Sequence, residues 1–319
     1  MMPALGHLAL QLLQAVLLVM IAPVAAGFVR KLKARLQNRQ GAPVLQPWRD
    51  LLKLFGKEVV LAEHASWLFR TAPYVVFTAT VMAATVVPAL WLATPLSLTA
   101  DVIALVALLA LARFFMALAG MDIGTAFGGM GASREMTFSA LAEPAMLVSV
   151  LVLSLHAHST NLTAMIDYTL HVQLALHPSL AFALAAMLMI ALAENGRIPI
   201  DNPATHLELT MLHEAMILEY SGRHLALMEW AAQIKLVLFA TLIVDLFLPW
   251  GIATAFDATS LAVAFGVWLA KLAVLFVLLS LVETGMAKMR IFEVPEYLNA
   301  AFMLAFLGLM TYYMLEVGV

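Results

Sequence analysis

Apolar residues gather along the chain in eight long runs, at roughly 4–28, 71–98, 101–120, 137–157, 178–195, 234–251, 260–283 and 295–316. Most are close to the ~20 residues that cross the hydrocarbon of a bilayer. Strand-like alternation is absent, so the elements expected are helices, which satisfy their own backbone in lipid, and not the strands of a barrel. A ninth element is of another kind. Val44 to Glu58 places Trp48, Leu51, Leu52 and Phe55 on one helical face and Arg49, Asp50, Lys53 and Lys57 around the other. It is too short and too charged to span, and reads as an amphipathic helix lying in the interface.

Composition agrees with the pattern. The 319 residues are 64% hydrophobic and 12% charged, with mean hydropathy +0.96. A water-soluble chain carries about a quarter charged residues. The fold class expected is an all-α polytopic membrane protein, one transmembrane domain over 1–319. Lys and Arg crowd the stretches after the first, third, fifth and seventh runs, from Arg30 to Arg70, at Arg134, at Arg197, Arg223 and Lys235, and at Lys288 and Arg290. By the positive-inside rule the loops at about 29–70, 121–136, 196–233 and 284–294 face the cytoplasm, and both termini face the periplasm. The first run is expected to be a retained span and not a signal peptide, since its charges at Arg30, Lys31, Lys33 and Arg35 follow the apolar core. With no Cys, disulfides, cysteine-ligated iron–sulfur clusters and thiolate metal sites are excluded from this chain.

Candidate chemistry concentrates between Glu194 and Gly222, where five of the twenty acidic residues and two of the nine His lie. Pro199 and Pro203 break the helix leaving the fifth run, and a helical pattern resumes near Ala204. His206 and His213 are seven apart and share a face; Glu208 and Glu219 lie elsewhere around the helix. Charges also fall inside or at the edge of spans: Arg113, Glu143, Asp245, Lys271 and Glu283. At bilayer depth each costs at least about 2.5 kcal/mol, which makes each a candidate for function. Arg113 and Glu283 lie near enough to the cytoplasmic side to be snorkelling anchors instead. Glu143 and Lys271 are deeper, and belong in a polar pathway or a buried pair. Lys271 and Glu283, twelve residues apart, are separated by about 18 Å along one helix and need other residues or water to connect them. Four glycines between Asp122 and Arg134 signal unusual dihedrals or close approach. His156, His158, His171 and His177 show no metal-binding spacing, and no metal site is expected.

These residues resemble a known family, subunit 1 of respiratory complex I, the membrane subunit of NADH-quinone oxidoreductase that adjoins its soluble arm, and within it the formate hydrogenlyase subunit 4 and hydrogenase-4 component C branch. The resemblance runs through Ala34-Arg-Leu-Gln-Asn-Arg-Gln-Gly41, the Val44 to Glu58 stretch, Ala112-Arg113-Phe-Phe, Gly120-Met-Asp122-Ile-Gly, Gly131-Ala-Ser-Arg134-Glu135, Ala193-Glu194 to Arg197-Ile-Pro and Asp201, and Glu219-Tyr-Ser-Gly222. Trp48-Arg-Asp-Leu-Leu-Lys and Gly131-Ala-Ser-Arg-Glu look like the hydrogenase versions. The chain departs from the family beyond Asp201, with Ala204 and His206 where two acids are usual and only Glu208 kept.

The resemblance implies a membrane subunit, itself without a redox centre, that anchors a soluble electron-transfer arm and couples its chemistry to proton translocation in the bacterial inner membrane. Glu143, Glu194, Glu208, Glu219, Lys271 and Glu283 are expected on the proton pathway, and Asp122, Arg134, Arg197, Asp201, His206 and His213 at the coupling and junction loops. No cofactor is expected on this chain. Iron–sulfur clusters, and in the hydrogenase branch a nickel–iron site, would lie in partner subunits, with quinone a feature of the complex I branch. Expected partners are hydrogenase-like or complex-I-like large and small subunits, an iron–sulfur subunit, antiporter-like membrane subunits and lipid, but no nucleic acid. The alternatives are a purely structural anchor and a quinone-chamber subunit; a stand-alone transporter would show inverted repeats, and none is visible.

Overall fold

The computed structural model describes residues 4–92, 101–171, 177–201, 212–253 and 257–316. Its helices are α1 (Ala4–Leu36), α2 (Gln46–Phe55), α3 (Trp67–Val86), α4 (Val102–Asp122), α5 (Ala126–Ala157), α6 (Leu162–His171), α7 (Pro178–Glu194), α8 (His213–Ile217), α9 (Gly222–Phe247), α10 (Ala258–Gly285) and α11 (Val294–Thr311), the last continuing into a π-helical turn at Tyr312–Glu316. Among the described residues there are no strands beyond two isolated bridges. Six of the described helices are long and apolar enough to cross a membrane: α1, α4, α5, α9, α10 and the stretch containing α11.

Several helices outrun the apolar runs that announced them. α1 continues through Lys31, Lys33 and Arg35, and α5 starts at Ala126, ahead of the apolar run from 137. At the helix starts the reason is local capping: Thr125 Oγ1 accepts from Gly128 N at 3.3 Å to open α5, Ser66 Oγ from Leu68 N at 3.0 Å to open α3, and Asp101 Oδ1 from Ile103 N at 2.9 Å to open α4. Each satisfies an orphan donor of the first turn.

α9 is the axis. In its apolar window 83% of residues are buried, against 28% for α10 and 22% for the α11 stretch. α9 touches α1, α2, α3, α6, α7 and α10, so neighbouring helices surround it and its charge at Asp245 is taken inside with it. α10 and α11 leave broad apolar faces outward. The amphipathic α2 is present where the sequence placed it. Trp48 and Phe55 meet the ring of Trp230 on α9, at 5.5 and 6.2 Å between centroids, Leu51 is buried, and Leu52 is 65% exposed.

The glycines bring α4 and α5 together. A Cβ on Gly128 would overlap the Gly120 carbonyl oxygen, and one on Gly131 would be 3.1 Å from the Leu212 oxygen and 3.0 Å from Ala215 Cβ. Close approach, of α5 to α4 at Gly128 and to α8 at Gly131, is what these two provide.

Candidate functional site

Arg113 sits in the second half of α4 with its guanidinium turned inward. Its Nη1 donates to Glu143 Oε1 at 2.8 Å and its Nη2 to Glu194 Oε2, and its Nε lies 3.5 Å from Glu135 Oε1. Glu194 Oε2 is also 3.1 Å from Lys235 Nζ. One cation therefore gathers carboxylates from α5 and from the end of α7, and a second cation, from α9, closes the set. Such fork geometry suits arginine, whose five donors can serve several acceptors at once. Arg113 is 5% exposed, so it is no snorkelling anchor. Glu143 retains about a third of its side-chain surface, at 35% exposed, while Glu194 keeps 3%. The pairing leaves Glu143 as the outer member of a group that is otherwise enclosed.

A second group forms around Glu283, at the far end of α10. Its Oε2 lies 2.8 Å from Lys33 Nζ of α1, and its Oε1 accepts from Arg197 Nη1 at 3.4 Å. Glu283 is 3% exposed and is likewise not an anchor. The loop after α7 is held on the same side. Asp201 Oδ2 accepts from Leu212 N at 3.1 Å, Asp201 Oδ1 is 3.8 Å from Lys288 Nζ, and Met289 N donates to Pro199 O at 2.9 Å. Burial pulls Arg197 below its usual pKa, with nearby Arg30 adding to the effect and Glu283 opposing it.

Both groups line one cavity of about 450 Å³, into which Arg113, Glu194, Lys235, Asp201, Arg197 and Glu283 all reach. His213 and Glu214 of α8 also line it. Burial, aided by repulsion from Lys235, lowers His213 to about 4, so the ring is neutral at ordinary pH. Glu214 is pushed up, first by burial and then by the acids Glu229 and Asp201. The cavity thus holds ion pairs beside a neutral His213 and a Glu214 whose carboxyl burial pushes up.

The remaining expected residues fall as follows. Asp122 Oδ2 accepts from Ser66 N at 2.9 Å, tying the end of α4 to the start of α3. Arg134 is half-buried on the first turns of α5 and repels Lys288. Glu219 is exposed. Its neighbours explain the motif: Tyr220 stacks on Phe69 at 3.9 Å and donates to its carbonyl at 3.0 Å, and Ser221 exchanges hydrogen bonds with the Val60 backbone at 2.8 and 2.9 Å. Gly222, at φ +54°, lets the Glu58 carbonyl approach where a Cβ would be only 2.6 Å away. Lys271 lies apart from the cavity, donating to the Leu248 carbonyl. Glu208 and His206 lie outside the described residues, and with them the expected shared face of His206 and His213. Sequence reasoning left out Glu135, Lys235 and Lys33, because each sits near a span boundary where charge reads as topology. Among the described residues no three potential metal ligands cluster.

A bundle of long apolar helices with an enclosed network of ion pairs at one end defines a multi-pass membrane protein built around buried charge. The chain belongs to the NADH dehydrogenase family, whose model matches residues 8–313. It is 36% identical over 297 residues to formate hydrogenlyase subunit 4 of Escherichia coli, covering 93% of this chain and 96% of that one. To hydrogenase-4 component C of the same organism it is 37% identical over 297 residues, 93% of each. A NADH-quinone oxidoreductase subunit of Syntrophotalea carbinolica is 28% identical over 238 residues, 69% of this chain and 70% of that one. The fold is also that of a chain in the membrane-bound sulfane sulfur reductase, an archaeal respiratory membrane complex, with TM-score 0.78 at 19% identity over 96% of this chain and 99% of the other.

Proposed function

We propose that this chain is a membrane subunit of a multisubunit, complex-I-like oxidoreductase of the formate hydrogenlyase or hydrogenase-4 kind, and that it couples electron transfer in a soluble arm to proton movement. The observation that carries the reading is Arg113, at the wall of the cavity that Glu135, Glu194 and Glu283 also line, holding Glu143 as well as Glu194 and Glu135. Buried acids held by few cations can pass protons when one pairing shifts. Glu194 and Glu283 are the inner members, and Glu143, the outer one, hands on toward antiporter-like partner subunits.

The topology that accompanies this reading has eight spans, adding α3 and α7 to the six long apolar helices, within a single transmembrane domain. Both termini face the periplasm and the cavity opens toward the cytoplasm, where 196–201, α8 and 286–290 receive the soluble large, small and iron–sulfur subunits. The membrane is the bacterial inner membrane. Iron–sulfur clusters, and a nickel–iron site in a hydrogenase arm, belong to those partners. A quinone head group would fit a cavity of this volume, with His213 and Arg30 as donors to its carbonyl oxygens. It would accept electrons there, and the relay does not run through it.

The experiment is replacement of Glu143 or Glu194 by Gln in the reconstituted complex, with proton uptake and electron flux measured together. Fewer protons per electron support the relay. Unchanged pumping at unchanged flux, with loop substitutions at Asp201 or Arg197 instead abolishing assembly, would make the chain a structural anchor.

A further inference from the structure

Asp245 and Lys271 are buried at the opposite end of the bundle from the cavity, and the relay above does not use Asp245. α9 carries Lys235 in the cavity and Asp245 ten residues on, about 15 Å along the axis; α10 carries Glu283 in the cavity and Lys271 twelve residues back, about 18 Å away. The two helices touch, so each contributes one charge to the cavity and one to a second station at similar depth.

That station is incompletely satisfied. Asp245 is 1% exposed and its Oδ2 has no hydrogen-bond partner. Thr241, one turn earlier on α9 and fully buried, has an unpartnered Oγ1, and Trp268 Nε1, one turn before Lys271, also lacks a partner. Buried polar atoms are rarely left so, and three in one region call for an explanation. Lys271 does not close on the carboxylate. Its ammonium donates to the Leu248 carbonyl and lies 4.4 Å from the centroid of the Trp250 ring. Acid and base face each other electrostatically without a direct ion pair among the described residues.

Among the described residues the other neighbours add no buried charge. α1 offers Gln11 and Gln14 at this end, α3 offers Thr85, and Asp167 and His171 of α6 and Asp257 at the start of α10 are exposed. The charged groups of α2 and α7 lie at the cavity end.

The route outward is short. Leu248 and Trp250, which contact the Lys271 ammonium, are 43% and 59% exposed, and an open depression bounded by Gly251, Ile252 and Ser260 adjoins the same loop. One layer of chain separates the ammonium from the surface.

We propose that Asp245 and Lys271 form a proton-exchanging station that opens to the face opposite the cavity, giving this chain a transmembrane proton route of its own beside the lateral relay. Thr241 gives up its hydroxyl proton as it takes another from the cavity side, and the proton passed on forms an O–H bond at Asp245 Oδ2 and cancels its charge. Release breaks that bond and returns the proton to water past Lys271, whose ammonium favours the ionised carboxylate and so promotes release. Thr241 Oγ1 is the step between the cavity and the acid.

The test uses the intact complex with aspartate carboxyl carbons isotopically labelled, in lipid vesicles whose two faces are buffered separately by impermeant buffers. Infrared spectroscopy follows the carboxylic acid carbonyl band as pH and D₂O are changed on one face. The expected result is a band that titrates and exchanges from the 248–253 face, is missing in Asp245→Asn, and in Lys271→Gln titrates with at least tenfold higher proton affinity. Should Asp245→Asn not assemble, Asp245→Glu serves, and its band then loses the aspartate label. A band that is absent from the native complex, that responds only from the cavity face, or that is indifferent to Lys271 overturns the proposal. Glu194→Gln is the control: it interrupts the lateral relay and leaves the Asp245 titration in place, so the two readings fail separately.

Discussion

Lys33 Nζ stands 2.8 Å from Glu283 Oε2, joining the end of the first helix to the end of the tenth across 250 residues of chain. Arg197 approaches the other carboxylate oxygen at 3.4 Å, so one acid, 3% exposed, holds two cations that burial would otherwise set against each other. Replacing Glu283 by Gln is expected to destabilise the fold by about 3 kcal/mol, the cost of leaving buried charge uncompensated. Thermal unfolding in detergent measures it. Adding Lys33→Met should recover part of the loss, since it removes one of the two stranded cations.

Arg113 is the hub for three carboxylates, and lysine cannot reproduce its fork. Arg113→Lys is therefore expected to lower the unfolding midpoint, and Arg113→Met to lower it further by leaving Glu135, Glu143 and Glu194 to repel one another. If Arg113→Met is as stable as the native protein, the group is not held by this residue. Combining Arg113→Met with Glu194→Gln should be milder than Arg113→Met alone, because the residues couple.

Two adjacent glycines of α5 give an internal comparison. Gly128→Ala forces a Cβ onto the Gly120 carbonyl oxygen, whereas Gly129→Ala meets nothing within 4 Å. The first should cost roughly 1–3 kcal/mol by overpacking α4 against α5. The second should be neutral or gain about 0.5 kcal/mol, as alanine is the better helix former. Unfolding midpoints of the two variants decide between close packing and flexibility as the role of these glycines.

His213 gives the fold an acid sensitivity. Its native pKa is lowered to about 4, against about 6.5 in an unfolded chain. Between those values the unfolded state binds more protons, so its contribution to stability is retained above pH 6.5 and lost as pH falls toward 4. In His213→Gln that part of the pH dependence should vanish, which unfolding midpoints between pH 4 and 7 would reveal. Nuclear magnetic resonance of labelled histidine should find the ring neutral at pH 6.

The sequence alone determined the fold class, because a chain of this hydropathy with ~20-residue runs has one way to satisfy its backbone in lipid. It also determined the amphipathic α2, whose two faces are written in one short stretch, and it singled out Glu143, Glu194, Asp201 and Glu283 as charges in costly places. Tertiary structure decided which partners those charges meet. Arg113 and Glu283 could each have been an anchor on hydropathy alone, since depth along one helix says nothing about the neighbouring helix. Only packing brought Arg113 of α4 to Glu143 of α5 and Glu194 of α7, and Lys33 to Glu283. Ion pairing is a contact between residues as many as 250 positions apart, and helical periodicity records only which side each residue faces. The same reason hid Glu135 and Lys235: each reads as a boundary charge until the bundle closes around it.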